Sequence, residues 1–427
     1  MTCPPGHPPS RREILKLLAA GVSGVSMSGW MGSLAAQPRA GKKKCILLWM
    51  DGGPSQTETF DPKPQASADV RGGLEAIGTS VPGIQIGEKF PRLARLMQHA
   101  AILRGMKTDE ADHGRARITM HTGFRPGAGG VEYPGLGSTV AAELGPEEST
   151  LPNFVVTGSV LNKYDYVRDS GYRGPRYLPL VLRQPGNGLE DGQATVPEAE
   201  FARRVNLLES LEDRFTRAVD APAALAHQAG IAGAVRLLRS DRAKAFDLTL
   251  ESQASAAPYG PSDFGRGCLL ARRLVEAGVA MVEVYLSNWD SHEKATADRT
   301  RELMTQVDDG VSALLGDLRA RGLLEETLVI WMGEFGRTPR VNRSGGRDHH
   351  AKGWTSVLFG GGIRGGQAVG ATDREGAEVT QRPISVADFM GTVCRILGID
   401  HTREIDTPGG RPIRIVEKGE HLIHEIL

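Results

Sequence analysis

The chain has 427 residues, 51 basic against 51 acidic side chains and a mean hydropathy of −0.26. That balance gives no reason to expect nucleic acid or an anionic membrane as a partner, and the length suits one large α/β domain or two smaller ones. Past the first 36 residues, no apolar run approaches the roughly 18 residues of a membrane span.

The chain opens with Ser10-Arg11-Arg12-Glu13-Ile14-Leu15-Lys16 and a weakly apolar stretch running to Leu34-Ala35-Ala36. A twin-arginine pair, a modest apolar region and small residues before Gln37 predict a twin-arginine export signal over residues 1–36. The cleaved protein would then be periplasmic or extracellular. Gly21, Gly24, Gly29 and Gly32 argue against an ordinary first helix, at roughly 1 kcal/mol each relative to Ala. Without Arg11, Arg12, Lys16 and Glu13, 48 basic and 50 acidic side chains remain. Of the cysteines, Cys45, Cys268 and Cys394 fall in apolar patterns and read as buried small hydrophobes.

From Lys44 to about Gly158 the pattern alternates strand and helix. Cys45 to Met50 is the continuous apolar run of a strand buried on both faces. Phe90 to His99 has helical spacing, Ala101-Ile102-Leu103 and Phe154-Val155-Val156 read as strands, and His113 to Thr122 as a helix stopped by Gly123. Residues 160–258 differ: a Gly-, Pro-, Tyr- and Arg-rich stretch precedes helical periodicity over Glu198 to Val219 and Ile231 to Leu250. This is the pattern of a helical insertion between sheet strands. The α/β rhythm then resumes, with a helix over Cys268 to Ala277, a strand over Val279 to Leu286, a helix over Arg301 to Arg319, strands over Leu328 to Met332 and Thr355 to Phe359, and a last helix to Leu397 with Ser385 as its N-cap.

Three of these strands lead into carboxylates. The first delivers Asp51, followed by Gly52-Gly53-Pro54-Ser55, with Glu58 and Asp61 nearby. A later one delivers Trp289-Asp290-Ser291-His292, where Asp290 and His292, two apart on an extended chain, point to one side. The next delivers Gly333-Glu334-Phe335-Gly336-Arg337-Thr338-Pro339. Beyond it lies Gly346-Arg347-Asp348-His349-His350. In an open α/β sheet ligands gather at the carboxyl ends of the strands, and oxygen ligands mixed with imidazoles suit a divalent metal. Asp51, Asp290, His292, Asp348, His349 and His350 are the candidate ligands. Glu334 is a candidate ligand or general base, Arg337 an anion binder, and His113 stands where a helix N-terminus favours an anion.

Taken together these residues resemble the family known as domain of unknown function 1501, sulfatase-like proteins of the alkaline phosphatase superfamily. The resemblance covers nearly all of residues 44–427. It is carried by Gly52-Gly53-Pro54-Ser55 with Phe60-Asp61-Pro62-Lys63, by Tyr259-Gly260-Pro261 through Gly267-Cys268-Leu269-Leu270-Ala271-Arg272-Arg273-Leu274, and by the three motifs around Asp290, Glu334 and Asp348. It implies an alkaline-phosphatase-like α/β sandwich, a central mostly parallel sheet flanked by helices with a helical insertion. It further implies a metal-ligand role for Asp51, the nucleophile position for His113, an anion-binding role for Arg117, ligand roles for Asp290 and His292, and a final metal histidine at His349 or His350. Two departures stand out. His113 replaces the superfamily's Ser, Thr or Cys nucleophile, and Phe335 replaces a metal-binding histidine, which fits a single retained metal or altered chemistry.

The expected activity is an exported hydrolase of a sulfate or phosphate ester, small or on a polysaccharide, dependent on zinc, calcium or manganese. The alternative is a non-catalytic binding protein on the same fold, recognising a polysaccharide or another exported protein.

Overall fold

The first apolar run forms β1, Lys44–Met50, and every residue from Cys45 onward is buried. The computed structural model describes residues 43–158, 170–190, 192, 194–219, 222–407, 410–417 and 421–427. The expected export signal and part of the expected insertion, residues 160–169, 191, 193, 220 and 221, lie outside them.

Seven more strands complete the main sheet: β2 Ala100–Met106, β3 Phe154–Gly158, β4 Leu180–Leu182, β5 Met281–Leu286, β6 Thr327–Met332, β7 Trp354–Gly360 and β8 Gln367–Val369. Their order is β8-β2-β7-β6-β1-β5-β3-β4. Only β7 runs antiparallel to its neighbours, β2 and β6; the other pairings are parallel. The chain is therefore mixed α/β with a central, mostly parallel sheet.

Alternation along β1 makes the sheet a partition between two cores. Ile46, Leu48 and Met50 face one, Cys45, Leu47 and Trp49 the other. Helices α5 (Asp263–Glu276) and α6 (Lys294–Ala320) supply the first core through Leu270, Leu274, Met304, Val307, Val311, Leu314 and Leu318. Helices α2 (Leu136–Leu144) and α7 (Val386–Leu397) supply the second through Val140, Phe389, Val393 and Leu397. These positions recur at helical spacing, and each fully buried large apolar side chain contributes about 1.5–3 kcal/mol. Ser385 caps α7, its hydroxyl accepting from Asp388 N in a capping box. Cys45, Cys268 and Cys394 are buried and unbridged.

Two helical expectations shift. Helix α3, Glu198–Val219, follows the periodicity, but α4 spans Pro222–Leu238, not Ile231 to Leu250. Ser240 and Asp247 take the N–H groups of Arg242 and Thr249 with their side chains, which breaks the segment after α4 into tighter 3₁₀ turns. Around Leu93 the chain also winds as 3₁₀, over Leu93–His99, where Asp308 of α6 accepts from Arg92 N and Leu93 N. No helix among the described residues is long and apolar enough to cross a membrane.

Candidate metal centre

The three strands that lead into carboxylates are the adjacent central ones, β6-β1-β5, and their carboxyl ends are in register. After β1 the chain turns at Gly52, whose φ of +113° is open only to glycine, and a Cβ there would lie 2.5 Å from Asp290 N. After β5, Asn288 takes φ of +77°. That turn sends Trp289 into the core against Trp331 and leaves Asp290 half-exposed above the sheet. After β6, Glu334 is fully buried, both oxygens accepting from Gly52 N at 3.1 and 3.2 Å. Gly336–Arg337 then pairs antiparallel with His349–His350.

Helix α1, His113–Thr122, points its first turn at the same place. Asp112 caps it, accepting from Arg115 N at 3.0 Å, and Gly123 ends it in the left-handed conformation. His113, Arg117 and His121 follow one another at a spacing of one turn. His121 is buried with Nε2 2.9 Å from Glu283 Oε1 and Nδ1 2.9 Å from Arg117 O, which holds the helix against β5.

Three imidazoles converge on one carboxylate oxygen. Asp290 Oδ1 lies 3.1 Å from His292 Nε2, 3.4 Å from His113 Nε2 and 3.5 Å from His349 Nε2. Each ring is fixed through its other nitrogen. His113 Nδ1 is 2.5 Å from Glu334 Oε1, His292 Nδ1 is 3.0 Å from Asp348 Oδ1, and His349 Nδ1 is 2.7 Å from Ala111 O. Carboxylates and carbonyls only accept, so each Nδ1 carries the proton and, in the neutral ring, each Nε2 presents a lone pair. Three lone pairs and a carboxylate oxygen facing one another repel unless protons or a cation stand among them. A ligating histidine whose second nitrogen donates to a carboxylate or carbonyl is the usual arrangement around a bound metal. Among the described residues, His113, Asp290 and His349 offer ligand atoms within 4.8 Å of one another, and His292 Nε2 is 3.0 Å from His349 Nε2.

Charge in the site follows from these contacts. Burial alone would lower the His113 imidazole, but the Asp290 and Glu334 carboxylates outweigh it and bring it up to about 9. Burial opposes ionisation of Asp290, yet His113, His349 and Arg337 hold it far below the usual carboxylate range. Glu334 is likewise held down against its burial by His113 and Arg117. Asp51 is pushed up by burial and by the Glu334 charge, against the pull of Arg117.

The other expected site residues lie around this group. Asp51 accepts from Arg117 Nε at 2.6 Å and from Trp49 Nε1 at 3.2 Å. Arg117 Nη2 is 3.6 Å from Glu334 Oε1. Arg337 is buried, donating to Gly53 O at 3.0 Å, to Gly52 O, to Arg347 O at 3.2 Å and to Asp290 Oδ1 at 2.5 Å. Asp348 reaches the group through His292. His350, on the opposite side of its strand from His349, turns to Ala377 O at 2.6 Å. Glu58 pairs with Arg347, and Asp61 with Lys63 and Arg104. Phe335 packs its ring 4.8 and 4.9 Å from those of His349 and His113. Sequence reasoning missed Asn342, which donates to Asp348 Oδ1 at 3.1 Å and to His292 O at 3.0 Å. Its only signal was a place in a Gly- and Ser-rich turn.

The family described as "Protein of unknown function (DUF1501)" matches residues 42–427, and the chain belongs to it. No curated protein matches the chain. Among solved structures it is similar to the PsFucS1 sulfatase from Pseudoalteromonas sp., at 14% identity and a TM-score of 0.39 over 88% of this chain and 71% of that one. It is similar to the lipoteichoic acid synthase LtaP from Listeria monocytogenes, at 10% identity and a TM-score of 0.41 over 88% and 75%. It is also similar to the C-terminal periplasmic domain of EcEptC from Escherichia coli in complex with Zn, at 9% identity and a TM-score of 0.38 over 91% and 93%.

Proposed function

We propose that the protein is an exported, metal-dependent hydrolase of sulfate or phosphate esters, with a single divalent ion held by His113, Asp290, His292 and His349. The observation that carries this reading is the convergence of three Nε2 atoms on Asp290 Oδ1, each ring locked through Nδ1. Three nitrogens and one carboxylate are a zinc-type set, whereas calcium takes oxygens almost throughout. A zinc ion bound there would supply Lewis acidity toward an ester oxygen and lower the pKa of water.

The chain's own residues set up the rest. Asp348, Glu334 and Ala111 O hold the Nδ1 protons of His292, His113 and His349 and so aim their Nε2 atoms. Arg337 ties Asp290 to the backbone of the Gly52 turn, and Arg117 neutralises Asp51 beneath it. With His113 Nε2 turned onto Asp290 and glycine following it in the chain, α1 begins with no hydroxyl or thiol. Water is therefore the attacking group in this reading, in a single displacement without a covalent ester intermediate. Export rests on Arg11-Arg12 and the small residues before Gln37; replacing both arginines with lysine should retain the protein in the cytoplasm.

One observation favours a second reading, a non-catalytic binding protein with a structural metal. The Arg117 and Arg337 charges lie against Asp51, Glu334 and Asp290, which leaves the metal as the centre's own anion binder. Metal analysis of the purified protein, followed by a panel of sulfate monoesters, phosphate monoesters and phosphate diesters, decides between them. Metal-dependent turnover of any ester supports the hydrolase. A fully loaded protein that turns over none overturns it.

A further inference from the structure

A cleft of about 490 Å³ opens beside the metal centre, with His349 in its wall. Its other polar lining side chains include Lys107, Thr108, Asp109, Lys352 and Glu378. The volume suits a ligand of roughly disaccharide to trisaccharide size. The lining carries no Phe, Tyr or Trp, its rings being the imidazoles of His349 and His350, and too few apolar side chains, Ala111, Ala351 and Val379, for a lipid tail. Carboxylates and a hydroxyl that accept hydrogen bonds, beside cations, are instead the chemistry that meets a hydroxyl-rich, charged chain.

The charges in the cleft are not equivalent. Asp109 pairs with Arg125 at 3.1 Å and Lys352 with Glu378 at 3.4 Å. Lys107 enters no ion pair among the described residues, so it is the uncompensated charge of the cleft. Its root is fixed: it follows β2 directly, Lys107 N donates to Ile384 O at 3.0 Å, and Thr108 N to Ala351 O at 3.0 Å. A cation with an anchored backbone and no ion-pair partner among the described residues, lining the same cleft as His349, is arranged for an anionic group on the ligand.

We propose that this cleft binds the remainder of a polyanionic saccharide ester, with Lys107 reading a second sulfate or phosphate beyond the group held at the metal. The inference deepens the ester-binding reading of the metal centre and rests on it. Binding is measured by calorimetry on zinc-loaded, full-length protein with a disaccharide bearing two sulfates, its monosulfated counterpart, and the bisphosphorylated and monophosphorylated pair. The doubly charged ligand should bind on the order of tenfold more tightly, the size of one charge-assisted contact. Lys107→Ala should abolish that preference and Lys107→Arg keep it. The ester type that shows the Lys107-dependent preference is the one the cleft reads. Equal binding of singly and doubly charged ligands in both pairs, or a preference that survives Lys107→Ala, overturns the proposal. Turnover of the same ligands is scored separately: a Lys107-dependent preference without turnover removes the hydrolase reading and leaves the subsite standing.

Discussion

His292 Nε2 and His349 Nε2 face each other at 3.0 Å, with Asp348 and Ala111 O occupying the opposite nitrogen of each ring. At that separation two imidazoles share either a proton or a cation, and the Asp290 carboxylate beside them attracts both, a divalent ion with twice the charge of a proton. Purified protein should therefore carry about one zinc per chain, and His292→Ala/His349→Ala should lose it. Saturating zinc should stabilise the wild type by about 4 kcal/mol at a thousandfold excess over Kd, read as a rise in Tm. A double variant that keeps its metal would sink the assignment.

Proton and metal compete for His113. In the metal-free protein its pKa rises from an ordinary 6.5 to about 9, so the stability it contributes is complete below pH 6.5 and is lost as pH climbs through 9. Metal-free wild type should lose Tm across that window, and His113→Ala should flatten the loss. Metal binding needs the lone pair, so zinc affinity should strengthen over the same window with release of a proton. Zinc affinity that is flat with pH would separate His113 from the ligand set.

Asp348 tests whether orientation matters apart from ligation. It is exposed, and its contacts on the group are His292 Nδ1 and Asn342. Asp348→Ala should weaken zinc binding about 10- to 100-fold. It should change the unfolding free energy of the metal-free protein by no more than about 0.5 kcal/mol. An equal loss in both measurements would make Asp348 a structural residue.

The inner strands were legible as apolar runs; β1, β5 and β6 announce themselves by composition, and their ends had to be neighbours for one site to form, whereas the short, half-exposed edge strands β4, inside the expected helical insertion, and β8 were not. Asp290 and His292 were legible together through their two-residue spacing. His349 and His350 were not separable, since the choice depends on which side of a two-residue strand meets α1, and only the Ala111 carbonyl reveals that. His113 read as a helix-start residue, but its approach to Asp290 follows from how α1 packs, through His121 and Glu283, onto β5. The α4 boundary was hidden because Ser240 and Asp247 break the helix by local hydrogen bonds that hydrophobic periodicity does not register.

Gly52 is where the backbone itself makes the site possible. Gly52→Ala would place a Cβ 2.5 Å from Asp290 N at φ of +113°. Strain of about 1–3 kcal/mol is expected from the backbone alone, and relief of the clash must push the Trp289–Asp290 segment away. Chemical denaturation should show the loss, and zinc affinity should fall with it because Asp290 moves. Unchanged affinity would mean that Asp290 is not a ligand.

Arg117 lies between two buried carboxylates, 2.6 Å from Asp51 and 3.6 Å from Glu334. Removing one partner from a buried charge group leaves the others uncompensated, which costs about 3–5 kcal/mol. Arg117→Ala should therefore destabilise the protein by that amount, measured by denaturant unfolding with zinc removed. Of the two carboxylates, Asp51 is the one pushed up toward its neutral form by burial and by the Glu334 charge. Asp51→Asn in the Arg117→Ala background should then recover part of the loss, because it removes one unpaired charge and keeps an oxygen for Trp49. If the arginine acted chiefly on substrate, the single variant would unfold like the wild type and show its defect only in KM for the ester.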